Sequence, residues 1–378
     1  MSDIDDIRDH LSKHGLPTGP AEVGAAMRAV GMLVTDATVL STLEALRRDS
    51  EGVGILEPLL ALPGVTDVVV NGPGAIYYDC GEGLRRSDVR FADEADLRRF
   101  ATRLAATAGR RLDDSSPFVD ARLKSGGRFH AILGGRTDCG TCLSLRVPQA
   151  RRLGLDEWVG GGSMSRQCAA IVSALVDSRQ SFLVSGGTGS GKTTLLATLL
   201  GLADPSERLL IVEDSRELDP GNPHTLRLEA RPPNAEGRGS VPMSDLVKQA
   251  LRMRPDRLVV GEVRGAEITD LLMALNTGHE GGCGTVHANS AADVPARLEA
   301  LAALGGMGRL ALHAQLASAL KVFIHIRRLG PGVRWVAELN VLDIDPAGLC
   351  RAVPAARFDP SAGMVRETGF ALLEGLLR

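Results

Sequence analysis

A glycine-rich stretch in the middle of the chain, GGTGSGKT, has the residue spacing of a phosphate-binding loop. Glycines let backbone N–H groups turn toward phosphate oxygens, and the start of a helix adds partial positive charge. In this pattern Lys192 bridges the β- and γ-phosphates, and the hydroxyl of Thr193 binds Mg²⁺. The stretch therefore predicts a site for ATP and Mg²⁺. The predicted nucleotide contacts are Gly186, Gly187, Thr188, Gly189, Ser190, Gly191, Lys192, Thr193 and Thr194.

Polar residues accompany three other apolar, strand-like runs. RLLIV is followed by Glu213 and Asp214, RLVVG by Glu262 and Arg264, and CGTVHA contains His287. Ligands gather at the carboxyl ends of parallel strands, so we expect these side chains to meet at one edge of the sheet, beside the phosphate loop. A phosphate cradle with carboxylates and a histidine indicates nucleotide hydrolysis. The predicted catalytic residues are Glu213, Glu262, Arg264 and His287.

The acidic residues at these strand ends have different expected roles. Hydrolysis of a metal-bound nucleotide usually places an Asp at a second strand end to hold Mg²⁺ and a Glu beside it to polarise water. Gly261 stands where that Asp would be, so Glu262 is predicted to act as the general base or to position water. Glu213 and Asp214 are then expected to hold the metal, partly through water. Neighbouring side chains of a strand point to opposite faces, so only one should face the site fully unless the chain bends.

The segment GHEGGCGTVHANS, residues 278–290, has two interpretations. His279, Cys283 and His287 recur at four-residue intervals and suggest zinc, whereas the glycines suggest a backbone that bends tightly or approaches a ligand. In a strand, Cys283 and His287 would lie about 13 Å apart at about 3.3 Å per residue, too far for one zinc ion. A place at the nucleotide is therefore favoured for His287, and a core histidine with a satisfied hydrogen bond is the alternative.

The elements that must position these groups follow from hydrophobic periodicity. Strand-like and helical runs alternate beyond residue 165, which predicts a parallel α/β sheet. Short strand-like runs surround one helical segment upstream, which predicts a small α+β domain. We expect an α/β fold, with a RecA-like P-loop NTPase domain preceded by the smaller α+β domain. The expected boundaries are 1–50 for a helical segment, 51–150 for the α+β domain, 151–165 for a Gly- and Ser-rich linker, 166–345 for the ATPase domain and 346–378 for a tail.

Composition narrows the classes of function. With 43 basic and 46 acidic side chains and 3% aromatic residues, the chain lacks the positive field and the rings that favour nucleic-acid binding. No apolar run reaches the roughly 18 to 20 residues of a membrane span, and the N-terminus is acidic rather than signal-like. We expect a cytoplasmic protein without direct nucleic-acid contact. Cys139 and Cys142 form a single CxxC, for which reduced loop cysteines are favoured over metal or redox chemistry.

Several motifs in order resemble the type II/type IV secretion ATPase superfamily, most closely its Tad (Flp) pilus branch. GGTGSGKTT resembles the Walker A motif, IVEDSREL the Asp box, LRMRPDRLVVGEVRGAE an atypical Walker B motif and GHEGGCGTVHANS the His box. The resemblance covers roughly residues 50–345. The His box of this family commonly carries other residues in place of Gly282, Cys283 and Gly284, so the loop is expected to be looser here. The sequence lacks the tetra-cysteine zinc insertion of some relatives, which favours the pilus side.

This resemblance implies a homohexameric ring whose N- and C-terminal domains alternate around ATP and move as rigid pieces during turnover. It also implies an inner-membrane platform protein as partner, and recruitment to the inner face of the cytoplasmic membrane through such partners. His287 would sense the γ-phosphate and couple its loss to domain movement, and His279 would be structural or a supporting contact. The arginines that would approach the phosphates are Arg122, Arg128 and Arg146.

The leading function is therefore a motor that hydrolyses ATP to drive Tad/Flp-type pilus assembly or export similar to type II secretion. An ATPase for conjugation or effector secretion is the alternative, because the catalytic half is shared. A nucleic-acid translocase uses the same ATP chemistry but is disfavoured by the balanced charge. A regulatory module that binds nucleotide without hydrolysis is disfavoured by Glu262.

Overall fold

The computed structural model describes residues 6–7, 10–11, 13–14, 16–123, 126–147, 152–234, 237–330, 333–360 and 363–378. The chain divides into two compact units, Met1–Gln149 and Ala150–Arg378. Residues 148–151, where the expected linker begins, lie outside the described residues. Among the described residues, no helix is both long enough and apolar enough to cross a membrane.

The described part of the smaller unit contains a six-stranded antiparallel sheet and helices. Its strands are β1 (Asp67–Asn71), β2 (Ile76–Asp79), β3 (Leu84–Arg86), β4 (Phe118–Arg122), β5 (Arg128–Ile132) and β6 (Cys142–Arg146), in the order β3-β2-β1-β6-β5-β4. Its helices are α1 (Pro20–Ala29), α2 (Asp36–Glu51), α3 (Glu57–Leu60) and α4 (Glu94–Thr107), with a 3₁₀ turn at Gly54–Leu56. Leu97, Phe100 and Leu104 of α4 share one apolar cluster with Val68 and Val70 of β1, as the helical periodicity predicts.

The described part of the larger unit contains a nine-stranded mixed sheet with helices. Its strands are β7 (Phe182–Gly186), β8 (Leu209–Glu213), β9 (Thr225–Glu229), β10 (Arg257–Val263), β11 (Cys283–His287), β12 (Val322–Arg328), β13 (Arg334–Ile344), β14 (Cys350–Asp359) and β15 (Gly363–Arg366). Its helices are α5 (Leu155–Gly160), α6 (Arg166–Asp177), α7 (Lys192–Leu200), α8 (Met243–Leu251), α9 (Glu267–Leu275), α10 (Val294–Leu304), α11 (Arg309–Ala319) and α12 (Phe370–Leu376).

The strand order of this sheet, β15-β14-β13-β12-β7-β11-β10-β8-β9, puts the strands of the predicted site next to one another. Pairing is parallel from β12 to β9 and antiparallel from β12 to β15. β7 and β8 are buried along their whole length, which suits strands covered on both faces. Leu209 and Ile211 face one core cluster, and Leu210 and Val212 face the other. The predicted fold class, an α/β P-loop domain after a smaller α+β domain, is confirmed.

Part of the segment expected to be a linker belongs to the larger unit instead. It contains α5, in which Trp158 is 4% exposed. The Nε1 of Trp158 donates to Oγ1 of Thr198 on α7 at 2.9 Å, and that hydroxyl donates to the carbonyl of Leu153 at 2.8 Å. The surrounding glycines and serines have a loop-like composition, but the buried tryptophan anchors the segment to the helix that follows the phosphate loop.

The residues expected as a separate tail complete the same sheet. β14 pairs with β13 on one side and with β15 on the other. Phe358 and Leu373 belong to the core cluster that also contains Val259 of β10. The indole Nε1 of Trp335 donates to the carbonyl of Phe358 at 2.7 Å. The larger unit therefore extends well beyond residue 345, because its core is closed only by these later strands.

Candidate active site

The glycine-rich segment 186–193 forms a loop between the end of β7 and the start of α7. Gly186 ends the strand and Lys192 begins the helix. Gly189 and Gly191 have φ angles of 67° and 97°, which are left-handed conformations that favour glycine. The segment thus has the strand–loop–helix context in which backbone N–H groups and the helix N-terminus bind phosphate.

Lys192 lies beneath this loop and is 6% exposed. Its Nζ donates to the carbonyl of Gly187 at 3.0 Å and lies 3.3 and 3.4 Å from the two ring nitrogens of His287. Burial lowers the pKa of Lys192 to about 8, although the charge of Glu262 opposes this shift. The ammonium group therefore remains mainly charged at neutral pH, at the point where β7 and β11 end.

The predicted groups at neighbouring strand ends form one chain of polar contacts with Lys192. The Nε2 of His287 lies 2.7 Å from Oε1 of Glu262, which is an ion-pair distance, although this oxygen accepts no regular hydrogen bond. Glu262 Oε2 accepts from Nη2 of Arg264 at 2.6 Å, and Arg264 Nη1 donates to Oδ2 of Asp214 at 2.8 Å. This series of polar contacts spans the carboxyl ends of β7, β11, β10 and β8, the edge of the sheet at which these side chains were expected to meet.

Burial and neighbouring groups determine the pKa values, and so the charges, of the residues in this series of contacts. Burial raises the pKa of Glu262, but the hydrogen bond and charge of Arg264, with His287 and Lys192, bring it below the ordinary value. Glu262 is therefore an anion at neutral pH. Burial and the charge of Lys192 lower the pKa of His287, so its ring is neutral at pH 7. A neutral ring can accept a hydrogen bond from Lys192 at Nδ1, and its Nε2 lies beside the Glu262 carboxylate.

Glu213, at the end of β8, is almost fully buried and lies against Gly261 of β10. Its Oε1 accepts hydrogen bonds from the backbone N–H groups of Glu217 at 3.0 Å and Leu218 at 2.9 Å. A Cβ at position 261 would lie 2.6 Å from Cγ of Glu213. Burial raises the pKa of Glu213 to about 7. Glycine at 261 therefore has a steric explanation. An aspartate there would occupy the space that the Glu213 side chain fills.

Of the predicted magnesium ligands, Thr193 follows the phosphate loop and Asp214 contacts Arg264, whereas Glu213 packs against Gly261. Oε2 of Glu213 is buried without a hydrogen-bond partner, Asp214 follows β8 directly, and Thr193 lies in the first turn of α7. Mg²⁺ takes oxygen ligands, often one or two carboxylates with substrate phosphates and water. In the part of the chain that the structure describes, no three His, Cys, Asp or Glu side chains converge as a metal site. These donors suit an ion held largely by the nucleotide.

The other residues of the His box have structural contacts. Nδ1 of His279 lies 3.1 Å from the carbonyl of Ala274, near the end of α9. Cys283 is fully buried in the sheet, and burial raises its thiol pKa to about 12. A Cβ at Gly282 would lie 2.9 Å from the Leu258 carbonyl, and one at Gly284 would lie 2.5 Å from the Val260 carbonyl.

The expectation of a looser His box is therefore wrong. Its glycines allow β11 to approach the backbone of β10 more closely than any other residue would. The unusual glycines mark tight packing between two strands that carry site residues, rather than freedom of the loop.

The three arginines implied to approach the phosphates lie in the smaller unit. They are Cα partners on adjacent strands: Arg122 of β4 pairs with Arg128 of β5, which pairs with Arg146 of β6. Nε of Arg146 also lies 3.2 Å from Oδ1 of Asp67. They form one row across the sheet, and their role at the nucleotide stays a prediction.

Two residues that contact the phosphate loop or its strand were not predicted from the sequence. Nε of Arg334, at the start of β13, donates to the carbonyl of Gly189 at 3.3 Å. Nδ1 of the buried His325, on β12, lies 2.9 Å from Oγ of Ser185 on β7. Neither belongs to a motif, and only the strand order brings them to the loop.

Comparison with known proteins identifies the family. The sequence model of the family described as type II/IV secretion system protein matches residues 49–353. The chain belongs to this secretion-system family. The match includes the phosphate loop, the two acidic strand ends and the His box, so the resemblance to the type II/type IV secretion superfamily is confirmed.

Relatives of this secretion-family protein share much of its length. It is 54% identical over 316 residues to a putative conjugal transfer protein of Mycobacterium tuberculosis, which covers 82% of this chain and 90% of that protein. It is 31% identical over 275 residues to the conjugal transfer protein TrbB of Rhizobium radiobacter, with 71% and 81% covered. Its fold is similar to that of the pilus retraction motor PilT, with a TM-score of 0.52, 16% identity and coverage of 86% and 85%.

Replacing Gly284 with alanine is expected to destabilise the larger unit by about 1–3 kcal/mol, because the added methyl group would overlap the Val260 carbonyl. Urea unfolding measures the loss. Gly160→Ala is the matched control, since position 160 ends α5 with open space around it, and alanine is the better helix former. Equal stability of the two variants would contradict the close approach of β10 and β11.

Proposed function

We propose that this secretion-family protein binds ATP with Mg²⁺ at the described cluster and hydrolyses it to ADP and phosphate. The observation that supports this proposal is the chain of contacts from Lys192 through His287, Glu262 and Arg264 to Asp214. It joins the ends of four parallel strands beside a phosphate-binding loop. Partly buried cations, carboxylates and a neutral histidine are the groups that phosphoryl transfer uses for charge stabilisation and proton transfer.

Binding would rest on the phosphate loop and the oxygen donors beside it. The loop N–H groups and Lys192 bind the phosphates, and Thr193, Glu213 and Asp214 hold Mg²⁺, partly through water. When bound, the ion would neutralise charge on the phosphate oxygens.

Hydrolysis would rest on Glu262. Its carboxylate orients a water molecule and accepts a proton from it, while the water oxygen bonds to the γ-phosphorus and the bond to ADP breaks. The contacts with His287 and Arg264 fix the orientation of this carboxylate.

We propose that the protein acts as a homohexamer that an inner-membrane platform protein recruits to the cytoplasmic face of the membrane, without direct nucleic-acid contact. Family membership and the resemblance of the ordered motifs support this. The row of Arg122, Arg128 and Arg146 would add positive charge toward the nucleotide phosphates. Solution mass with and without ATP and the platform protein tests the assembly, and a monomer in every condition would contradict it.

Two cargoes are supported by different observations. The motifs resemble those of Tad/Flp pilus ATPases, and this favours pilus assembly or related export. The names of the M. tuberculosis and R. radiobacter relatives favour conjugal transfer as the second candidate. Deleting the gene should abolish surface pili under the first proposal. Loss of DNA transfer or protein secretion with normal pili would support the second instead.

Lys192→Ala is expected to abolish ATP hydrolysis and to weaken ATP binding strongly, because the buried ammonium group contacts the phosphate loop at the Gly187 carbonyl. Phosphate release and calorimetric titration with ATP measure the two effects. Lys248→Ala is the matched control, since that side chain on α8 is 53% exposed. Normal hydrolysis by Lys192→Ala would contradict the proposal that ATP is hydrolysed at this site.

Glu262→Gln is expected to bind ATP with near-normal affinity and to hydrolyse it about 10²- to 10⁴-fold more slowly, because the amide cannot accept the proton of water. Single-turnover kinetics isolates the chemical step. Glu82→Gln, an exposed change in the smaller unit, controls for loss of a carboxylate. Undiminished turnover by Glu262→Gln would contradict the general-base role of Glu262.

His287→Ala is expected to keep ATP affinity and to lower turnover about tenfold or more, since losing one positioned hydrogen-bonding group at a reacting centre commonly costs at least this much. Steady-state hydrolysis separates kcat from KM. His279→Ala is the comparison: it removes a contact with the Ala274 carbonyl, so it should lower stability and leave turnover per folded molecule unchanged. Normal turnover by His287→Ala with reduced turnover by His279→Ala would instead assign the role in hydrolysis to His279.

A further inference from the structure

The CxxC of the smaller unit brings two thiols into contact. Sγ of Cys139 lies 3.1 Å from Sγ of Cys142, and Oγ1 of Thr137 lies 3.7 Å from each sulfur. Cys139 is exposed, whereas Cys142, at the start of β6, is partly buried. A solute can therefore reach one thiol of the pair more easily than the other.

The loop that carries these thiols is fixed by contacts outside the pair. The carboxylate Oε1 of Glu94 accepts hydrogen bonds from the backbone N–H of Thr141 at 2.8 Å and from its hydroxyl at 2.6 Å. The N–H of Gly72 donates to the carbonyl of Thr141 at 3.2 Å. Gly140, between the cysteines, has a φ of 91°, which closes the tight turn that brings the sulfurs together. The pairing is thus held by the fold and does not depend on chance encounters of a mobile loop.

The two sulfurs differ in environment as well as in exposure. Burial, together with the hydrogen bond to Cys139, raises the pKa of the Cys142 thiol. Cys142 therefore stays protonated more readily than an exposed thiol. Thiol–disulfide exchange needs a thiolate that can approach its target, so attack by Cys139 and resolution by Cys142 is the order that this environment favours.

We propose that Cys139 and Cys142 form a thiol–disulfide exchange site that reacts with small disulfides of the glutathione class. The thiolate of Cys139 attacks a disulfide sulfur, forms a mixed disulfide and releases one small thiolate, which takes up a proton. The thiolate of Cys142 then attacks Sγ of Cys139 and releases the second small thiol. The protein pair loses two electrons and two protons, and the small disulfide gains both as two thiols.

The test is oxidation of the full chain in defined mixtures of reduced and oxidised glutathione, followed by acid quenching, alkylation and digestion with trypsin. Cleavage after Arg136 and Arg146 places both cysteines in one peptide, TDCGTCLSLR. The oxidised peptide should carry no alkyl group and be about two hydrogens lighter than the unalkylated reduced peptide, whereas the reduced form carries two alkyl groups and the peptide with Cys80 stays alkylated. A free synthetic peptide of the same sequence is the control. The folded chain should favour the disulfide at least about tenfold over it, because the fold holds the sulfurs together.

Single variants test the proposed order of attack. Cys142→Ser should trap glutathione on Cys139, and Cys139→Ser should react with glutathione disulfide more slowly at position 142. Equal trapping rates in the two variants would overturn the order. A disulfide no more stable in the folded chain than in the free peptide would overturn the site itself. Both measurements use mass alone, so they are independent of ATP hydrolysis and of the proposed function.

Discussion

The geometry of the candidate site depends on the absence of a side chain at Gly261. Glu213 reaches across from β8 to lie on the neighbouring strand at that residue, where a Cβ would be only 2.6 Å from its Cγ. A carboxylate at 261 and the observed position of Glu213 exclude each other. Glu213 keeps a buried carboxyl group against Gly261, where its Oε1 accepts hydrogen bonds from the N–H groups of Glu217 and Leu218.

The same pair of strands is fixed at its opposite end by a buried ion pair. Arg257, at the start of β10, is 2% exposed and hydrogen bonds to the carboxylate of Glu207, just before β8, and to the carbonyl of Val176 at 2.8 Å. Burial raises the pKa of Glu207, but Arg257 and Arg179 bring it below the ordinary value, so the pair is charged. Buried charges are tolerated only when they are paired and hydrogen-bonded. The register of β10 against β8, and with it the contact of Glu213 with Gly261, is thus set from both ends.

The polar groups of the candidate site follow local rules in the sequence. A glycine loop between an apolar strand and a helix, and polar residues at strand ends, can be recognised without knowing the strand order. The contacts that the sequence does not indicate involve residues that are remote from each other along the chain. The tightness at Gly284 exists only because β11 lies beside β10, and the contact of Arg334 with Gly189 exists only because β13 returns beside β12. The loop-like composition of the segment around Trp158 likewise conceals one buried anchor.

The charges at the strand ends nearly cancel, and this has a consequence for ligand binding. Lys192 and Arg264 are cations, Glu262 and Asp214 carry negative charge, and His287 is neutral. Such pairing lets the sheet edge hold its charges partly buried without a ligand. A phosphate group that enters the loop must then compete with Glu262 for these cations, because each positive charge already has a carboxylate nearby. In the proposed function, weakening the contact between Arg264 and Glu262 would leave a carboxylate oxygen free to orient water, so phosphate binding and exposure of the proposed base would be linked by charge.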